Sequence, residues 1–336
     1  MITHSIIAIT TPLIVLLVCT PLMIKYAQRH GYIVNPTSDR WHTKPTALLG
    51  GVAIFSGIII GLLIVGIPTS FPAGLLLSII IIFLAGLYDD VYTLSPFIKL
   101  IIQIGVSLIV ISSGVIIGKG IIPEYIAVPL TIFWIVGITN AMNLLDNMDG
   151  LCSGVSGIIA LFLGIIFLVN SQPELALISF VIFGASMGFL IYNFNPAKIF
   201  MGDSGSLLLG FMLSVLSLLG SYQTKSHMLL SLSIPLLIMI LPIFDTTLVT
   251  LNRKLINRPI SQGGKDHSSH RLISLGYSEK ESALILYGVT SIGGSIALAL
   301  NFLEIPISIM IIVVLLIAFV GSGAFLTRVK VYSKTE

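Results

Sequence analysis

Asp89 and Asp90 stand side by side at the end of an apolar run, with Pro96 six residues beyond the second. Two adjacent carboxylates repel, and near hydrocarbon both are costly unless a cation or hydrogen-bond donors compensate them. Successive helical residues point about 100° apart, so the two are expected to serve different partners. A second group, Asn140, Asn143, Asp146 and Asp149, recurs at every third position and runs into Gly150-Leu151. Such residues neighbour one another on a helix, although the steps drift through about half a turn. Asp149-Gly150 is therefore expected to leave the helix and open a loop. Carboxylates and carboxamides in this pattern supply oxygen ligands for a cation and the donors and acceptors that read a base.

A third group runs from Asn193 to Ser206. Asp203 falls at a predicted helix N-cap, a bland role for Asp, but Gly202 and Gly205 around Asp203-Ser204 also resemble a Mg2+ or phosphate turn. Phe200 could stack on a base. Upstream, Arg40 to Thr46 includes Lys44 and leads to Gly50-Gly51. Basic side chains beside a glycine pair can hold phosphate, because glycine lets backbone N–H groups approach an anion; an ordinary basic loop with a helix entry is the plainer reading. The fifth group spans Arg253 to Arg271. Arg258 suits bidentate phosphate contacts, and His267 and His270 can hold phosphate or act as acid or base. With Asp266 the two histidines also resemble part of a zinc site, though no cysteine is near. Asp245, in an apolar helix just before, is either a buried partner of this loop or a further site carboxylate. Hard carboxylate oxygens with waters and substrate phosphates describe Mg2+, with Mn2+ as the alternative ion. Such an ion beside Arg and His describes chemistry on a phosphate ester or diphosphate.

The elements that must position these groups are membrane helices. Of 336 residues, 56% are hydrophobic and 9% charged, and the mean hydropathy is +1.07. A soluble domain carries about 25% charged residues, so a soluble enzyme, a disordered chain, a collagen, a coiled coil and a disulfide scaffold are excluded. Cys19 and Cys152 build neither a disulfide framework nor a Cys-rich metal site. Apolar runs fall near 5–24, 47–67, 72–88, 97–117, 124–143, 151–169, 174–193, 205–220, 228–250, 281–300 and 305–326. The expectation is one all-α domain over residues 1–336, a polytopic membrane helical bundle of about 10–11 transmembrane helices. The first run has no Lys or Arg before it and Lys25 and Arg29 after it, so it reads as a retained helix with its N-terminus outside. Eleven crossings from that start leave only Lys119 and Lys225 outside among the seventeen Lys and Arg, a strong positive-inside bias. All eight Asp residues fall on or near the inner side. That rule does not explain the acids, so they suggest a site on the cytoplasmic face of the cell membrane.

Taken in order, the Asp-Asp pair, the Asn-x-x-Asn-x-x-Asp-x-x-Asp-Gly-Leu run and Asn-Pro-Ala-x-x-Phe-Met-Gly-Asp-x-Gly-Ser resemble one known family. This is the polyprenyl-phosphate N-acetylhexosamine-1-phosphate transferases, and the resemblance spans about residues 33–275. It implies that a UDP-activated amino sugar donates sugar 1-phosphate to a polyprenyl phosphate, giving UMP, as the first membrane step of cell-wall or surface polysaccharide synthesis. It also implies that Asp203 ligates Mg2+ and that one of Asp89 and Asp90 positions or deprotonates the lipid phosphate. Asn143, Asp146, Asp149, Asn193 and Phe200 match positions lining the nucleotide pocket, and Arg258, His267 and His270 fall in the loop that holds the sugar and diphosphate. The implied partners are a UDP-sugar, polyprenyl (undecaprenyl) phosphate and membrane lipid, with no nucleic acid; a homodimer is compatible with the reading. Asn147 stands where relatives commonly carry Gly, and the Asp-His-Ser-Ser-His-Arg stretch lacks the His-x-His-His run of some relatives, which leaves the sugar open. Two other classes use similar residues. A membrane prenyltransferase would show paired Asp-rich motifs in homologous halves, and a secondary transporter would place its acids near the midplane of paired repeats.

Overall fold

The computed structural model describes residues 2–35, 45–66, 73–220, 222, 228–259, 264–329 and 331. Lys44 lies outside the described residues. Each apolar run forms a helix: α1 (Ile2–His30), α2 (Gly50–Val65), α3 (Ala73–Tyr92), α4 (Pro96–Ser112), α5 (Glu124–Leu145), α6 (Leu151–Val169), α7 (Pro173–Asn193) and α8 (Gly202–Leu219). The run near 228–250 forms two, α9 (Met228–Ile238) and α10 (Ile240–Leu255), bent by 70° at the break between them. After the short α11 (Ser268–Ser274) come α12 (Glu279–Ala299) and α13 (Ile305–Thr327). Among the described residues, eight helices are long and apolar enough to cross a bilayer, or nine if the bent pair is one span. α2 and α4, at 16 and 17 residues, are shorter than the roughly 20 a full crossing takes. The chain is thus an all-α, multi-pass membrane protein; the apolar runs suggest ten or eleven crossings, of which eight or nine are full-length helices among the described residues.

α8 is the central helix. Buried residues make up 78% of its apolar window, against 6% for the peripheral α13. In lipid no hydrophobic force draws helices together, so close packing of small residues must do so, and α8 supplies them at Gly202, Ser204, Gly205, Ser206, Gly210, Ser214 and Ser217. Helices α2, α3, α5 and α6 pack around it, α1 and α7 form the next layer, and α12 closes on α6 and α9. Gly86 of α3 lies directly against the first turn of α8. A methyl group there would lie 2.6 Å from Asp203 O and Ser204 Cα, so α3 can reach α8 only without a side chain at that point.

The helix ends that carry the polar groups gather at one end of the bundle. A two-stranded antiparallel pair, β1 (Ile33–Val34) and β2 (Thr46–Ala47), sits there with Ile33 opposite Ala47. Ala47 continues into a parallel bridge with Ile199. The first two N–H groups of α2 are met by this neighbouring chain: Gly50 N donates to Phe200 O and Gly51 N to Met201 O, both at 2.9 Å. The glycine pair therefore joins the start of α2 to the start of α8 rather than presenting N–H groups to a phosphate. α4 starts with Ser95, whose hydroxyl accepts from Ile98 N, and with Pro96 at the first helical position.

Gly86→Ala is expected to destabilise the protein by about 1–3 kcal/mol through overpacking. Gly105→Ala, where a methyl group meets nothing within 4 Å, should leave stability intact. Thermal midpoints of the two purified variants check this, and a Gly86→Ala midpoint equal to wild type would refute the tight approach.

Candidate active site

Asp89 and Asp90, on adjacent positions near the end of α3, do face different partners. Asp90 accepts from Asp203 N at 2.7 Å, from Ser204 N at 3.2 Å and from Ser204 Oγ at 2.5 Å. It therefore caps α8 from a neighbouring helix, where unpaired N–H groups and the helix dipole favour an anion. Asp203 is not the N-cap. That position is Met201, which makes no side-chain cap, and Asp203 lies in the first turn. With the cap supplied by Asp90, the Asp203 carboxylate is released to face α4 and α5.

Lys99, in the first turn of α4, donates to Asp89 Oδ2 and Asp203 Oδ2, each at 2.7 Å. The other oxygen of Asp89 accepts from Leu94 N at 2.5 Å. The other oxygen of Asp203 accepts from Asn143 Nδ2 at 3.0 Å, and the same amide donates to Ser206 Oγ at 2.8 Å. Four helices thus meet at one partly exposed point, with two carboxylates sharing one ammonium. Their oxygens are hard ligands directed at a single cation position. That is the donor chemistry of Mg2+ sites, which use one or two carboxylates and complete the shell with water and substrate phosphate. Asp89 and Asp203 fit such an ion; Asp90, committed to α8, does not belong to that set.

A second polar cluster borders the first. α5 ends at Leu145, earlier than the spacing of its polar residues suggests, and Asp146 takes the C-cap. Asp149 lies in the following turn, which closes at Gly150 with φ 76°. Its Oδ2 accepts from Ala197 N at 2.8 Å and from Asn195 Nδ2 at 3.3 Å, and the Asn195 amide also reaches Glu279 Oε2 at 2.6 Å. Asn193 is buried. Its Oδ1 accepts from Gly150 N and Ser153 Oγ, and its Nδ2 donates to Ile199 O at 2.9 Å, so it ties the start of α6 to the segment before α8. Phe200, in that segment, is half-buried.

The third cluster joins α10 to α11. Asp245 is fully buried and accepts from His267 Nδ1 at 2.7 Å and from Ser268 N and Oγ, both at 2.6 Å. It is a buried partner of the loop. Asp266 takes a bidentate contact from Arg253, Nε and Nη2 each at 2.7 Å. Arg271, also buried, donates to Asp266 O and to Leu326 O at the end of α13. Asp266 is engaged by Arg253, and among the described residues no three His, Cys, Asp or Glu side chains converge on a metal position. Ser269 Oγ donates to Asn147 Oδ1 at 2.7 Å, which brings this loop against the turn after α5. Arg258 is half-buried beyond α10, its N–H closing a turn on Arg253 O at 2.9 Å.

The structure thus brings Asp89, Asp90, Asn143 and Asp203 into one hydrogen-bonded group, with Asp149 and Asn193 in the adjoining cluster and His267 and His270 in the loop that touches Asn147. Ser204 and Ser206, from the Asn193–Ser206 run, join the central group, and so does Lys99, which spacing does not single out. The signal for Lys99 was present: it is a lone cation ten residues past Asp89 in an otherwise apolar helix.

Burial, with His267 alongside, pushes the His270 imidazole down to about 4. The unfolded chain then binds a proton near the ordinary value of about 6.5 that the folded chain refuses, so stability is lost as pH falls from about 6.5 towards 4. His270→Gln should flatten that part of the pH–stability curve, read as thermal midpoints between those limits; an unaltered slope would contradict the assignment.

Residues 72–221 match the family model described as glycosyl transferase family 4. A Bacillus subtilis protein named probable undecaprenyl-phosphate N-acetylglucosaminyl 1-phosphate transferase is 39% identical over 321 residues, covering 93% of this chain and 89% of its own. A Mycobacterium tuberculosis decaprenyl-phosphate N-acetylglucosaminephosphotransferase is 30% identical, over 82% of this chain and 78% of its own. A phospho-N-acetylmuramoyl-pentapeptide-transferase from Rubrobacter xylanophilus is 35% identical over 55% of this chain and 63% of its own. With its carboxylates gathered at one end of a helical bundle and relatives matching along nearly its whole length, the chain belongs to the polyprenyl-phosphate N-acetylhexosamine-1-phosphate transferase family and is a phosphotransferase.

Proposed function

We propose that this protein transfers N-acetylglucosamine 1-phosphate from UDP-GlcNAc to a polyprenyl phosphate at the cytoplasmic membrane face, with Mg2+ as cofactor. The observation that carries the reading is the sharing of one ammonium, Lys99, by Asp89 and Asp203. It makes a cation-centred anion site at a helix-end level where a lipid phosphate and a soluble nucleotide can both arrive. GlcNAc is favoured over MurNAc-pentapeptide because the GlcNAc-named relatives match 93% and 82% of the chain, against 55%. The cytoplasmic face, with the N-terminus outside, follows from the excess of Lys and Arg at the end that carries the site. The gathering of Asp89, Asp90 and Asp203 at helix ends also favours a transferase over a transporter, whose acids would lie near the midplane.

In the reaction a lipid phosphate oxygen attacks the β-phosphorus of UDP-GlcNAc. The bond from that phosphorus to the bridging oxygen breaks, and the oxygen leaves with UMP. Both reactants are anionic, so the barrier is dominated by repulsion and by charge on the departing phosphate. Mg2+, held by Asp203 and Asp89, would neutralise the diphosphate when bound. Lys99 offers its ammonium to the incoming phosphates. Asn143 keeps Asp203 turned towards Lys99, and Asp90 keeps α8 docked on α3. The lipid phosphate is already ionised at neutral pH, so Asp89 acts by orienting it through Lys99 and need not remove a proton. Arg258 and the His267–His270 loop close the sugar and diphosphate side.

Membranes carrying the protein should release UMP from UDP-GlcNAc only when polyprenyl phosphate and Mg2+ are both present. Asp203→Asn should slow release by about 10²–10³-fold, and UDP-MurNAc-pentapeptide should be a poor donor. Turnover that persists in EDTA would overturn the metal assignment, and preferential use of the pentapeptide donor would overturn the sugar.

A further inference from the structure

A polar pair with one buried and one half-buried member lies outside the site described above. Gln103 of α4 and Asn140 of α5 hold each other reciprocally: Gln103 Nε2 donates to Asn140 Oδ1 at 3.2 Å, and Asn140 Nδ2 donates to Gln103 Oε1 at 2.6 Å. Asn140 Nδ2 also reaches Val136 O on its own helix. Gln103 is 2% exposed, and an amide left unpaired at such depth is costly.

The pair sits one helical turn from each side chain that grips Asp203. Gln103 is four residues beyond Lys99 on α4, and Asn140 is three residues before Asn143 on α5, so each lies on the same helix face as its neighbour. α4 packs against α3 and α5. It reaches α8 through the Lys99 ammonium, a long side chain on the first turn of a helix that buries only Gln103, Val106, Ser107 and Val110. Where that ammonium ends up is therefore set by how α4 is seated on its two neighbours, and the amide clasp is a directional contact on the α5 side. Interhelical hydrogen bonds in membranes add little stability, but a two-bond amide pair admits one register.

We propose that Gln103 and Asn140 are positioning residues: their amide clasp sets the register of α4 against α5 and so aims Lys99 at Asp89 and Asp203. The inference rests on the transferase reading for its catalytic consequence, but not for its structural one. The test reads both. In purified protein, acylation of Lys99 by an amine-reactive reagent, followed by mass spectrometry with Lys119 as internal reference, needs no turnover. Gln103→Leu should speed labelling of Lys99 about threefold or more while Lys119 is unchanged, with the thermal midpoint moving by no more than about 3 °C. In the transfer assay it should lower kcat by about tenfold or more, whereas the exchanged pair Gln103→Asn/Asn140→Gln should recover most of that loss. In a Lys99→Met background the same Gln103→Leu change should alter turnover by less than about twofold. Unchanged Lys99 labelling, equal acceleration at Lys119, or an undiminished effect in the Lys99→Met background would overturn the proposal. Absence of transfer by the wild type would instead sink the functional reading, and the labelling result would still decide the clasp.

Discussion

Two carboxylates on different helices, each 2.7 Å from one ammonium, hold the functional end of this protein together. Asp89 and Asp203 would repel across the α3–α8 contact, and that contact is among the closest in the bundle. Lys99 makes it tolerable by answering both with a single charge. The arrangement also suits the proposed chemistry, because two carboxylates gathered on one ammonium can take a divalent cation in its place.

The second requirement is backbone proximity. α8 begins with N–H groups that need an anion, and Asp90 reaches them only because Gly86, one turn earlier on α3, lets the helices touch. The two members of the Asp-Asp pair therefore have separate work. Asp90 docks one helix on another, and Asp89 faces Lys99. Gly50-Gly51 serves the same end from α2, joining its start to the Phe200 and Met201 carbonyls. Behind the site, Asp245 of α10 holds His267 and Ser268, and Arg253 of α10 holds Asp266, which fixes the histidine segment near Asn147.

Much of this could be read from the chain. Apolar runs of membrane length mark helices strongly, and each forms one helix except that near 228–250, which forms two. The Asp-Asp pair was legible as two groups with two partners, because adjacent helical residues diverge. Asp245 was legible as either a partner or a ligand, and only its contacts decide for the partner. Three features were not legible. Lys99 stands out as a lone cation in an apolar run, but nothing in its neighbours shows that α4 turns it towards residues ten and 104 positions away. The cap of α8 is supplied by another helix, so a local reading assigns it to Asp203. The glycine pair at the start of α2 looks like a phosphate cradle until the 200–201 carbonyls are found against it. In each case the missing information was a tertiary neighbour, which spacing along the chain does not contain.

Divalent-ion affinity in the absence of substrate probes the shared charge most directly. Mn2+ binding to wild-type and Lys99→Met protein, followed by electron paramagnetic resonance, compares the two carboxylates with and without their ammonium. Freed of Lys99, Asp89 and Asp203 should bind Mn2+ about tenfold or more tightly, and adding Asp203→Asn should remove that gain. An affinity that Lys99→Met leaves unchanged would mean that the two carboxylates do not converge on one cation, and the account of the site would fail.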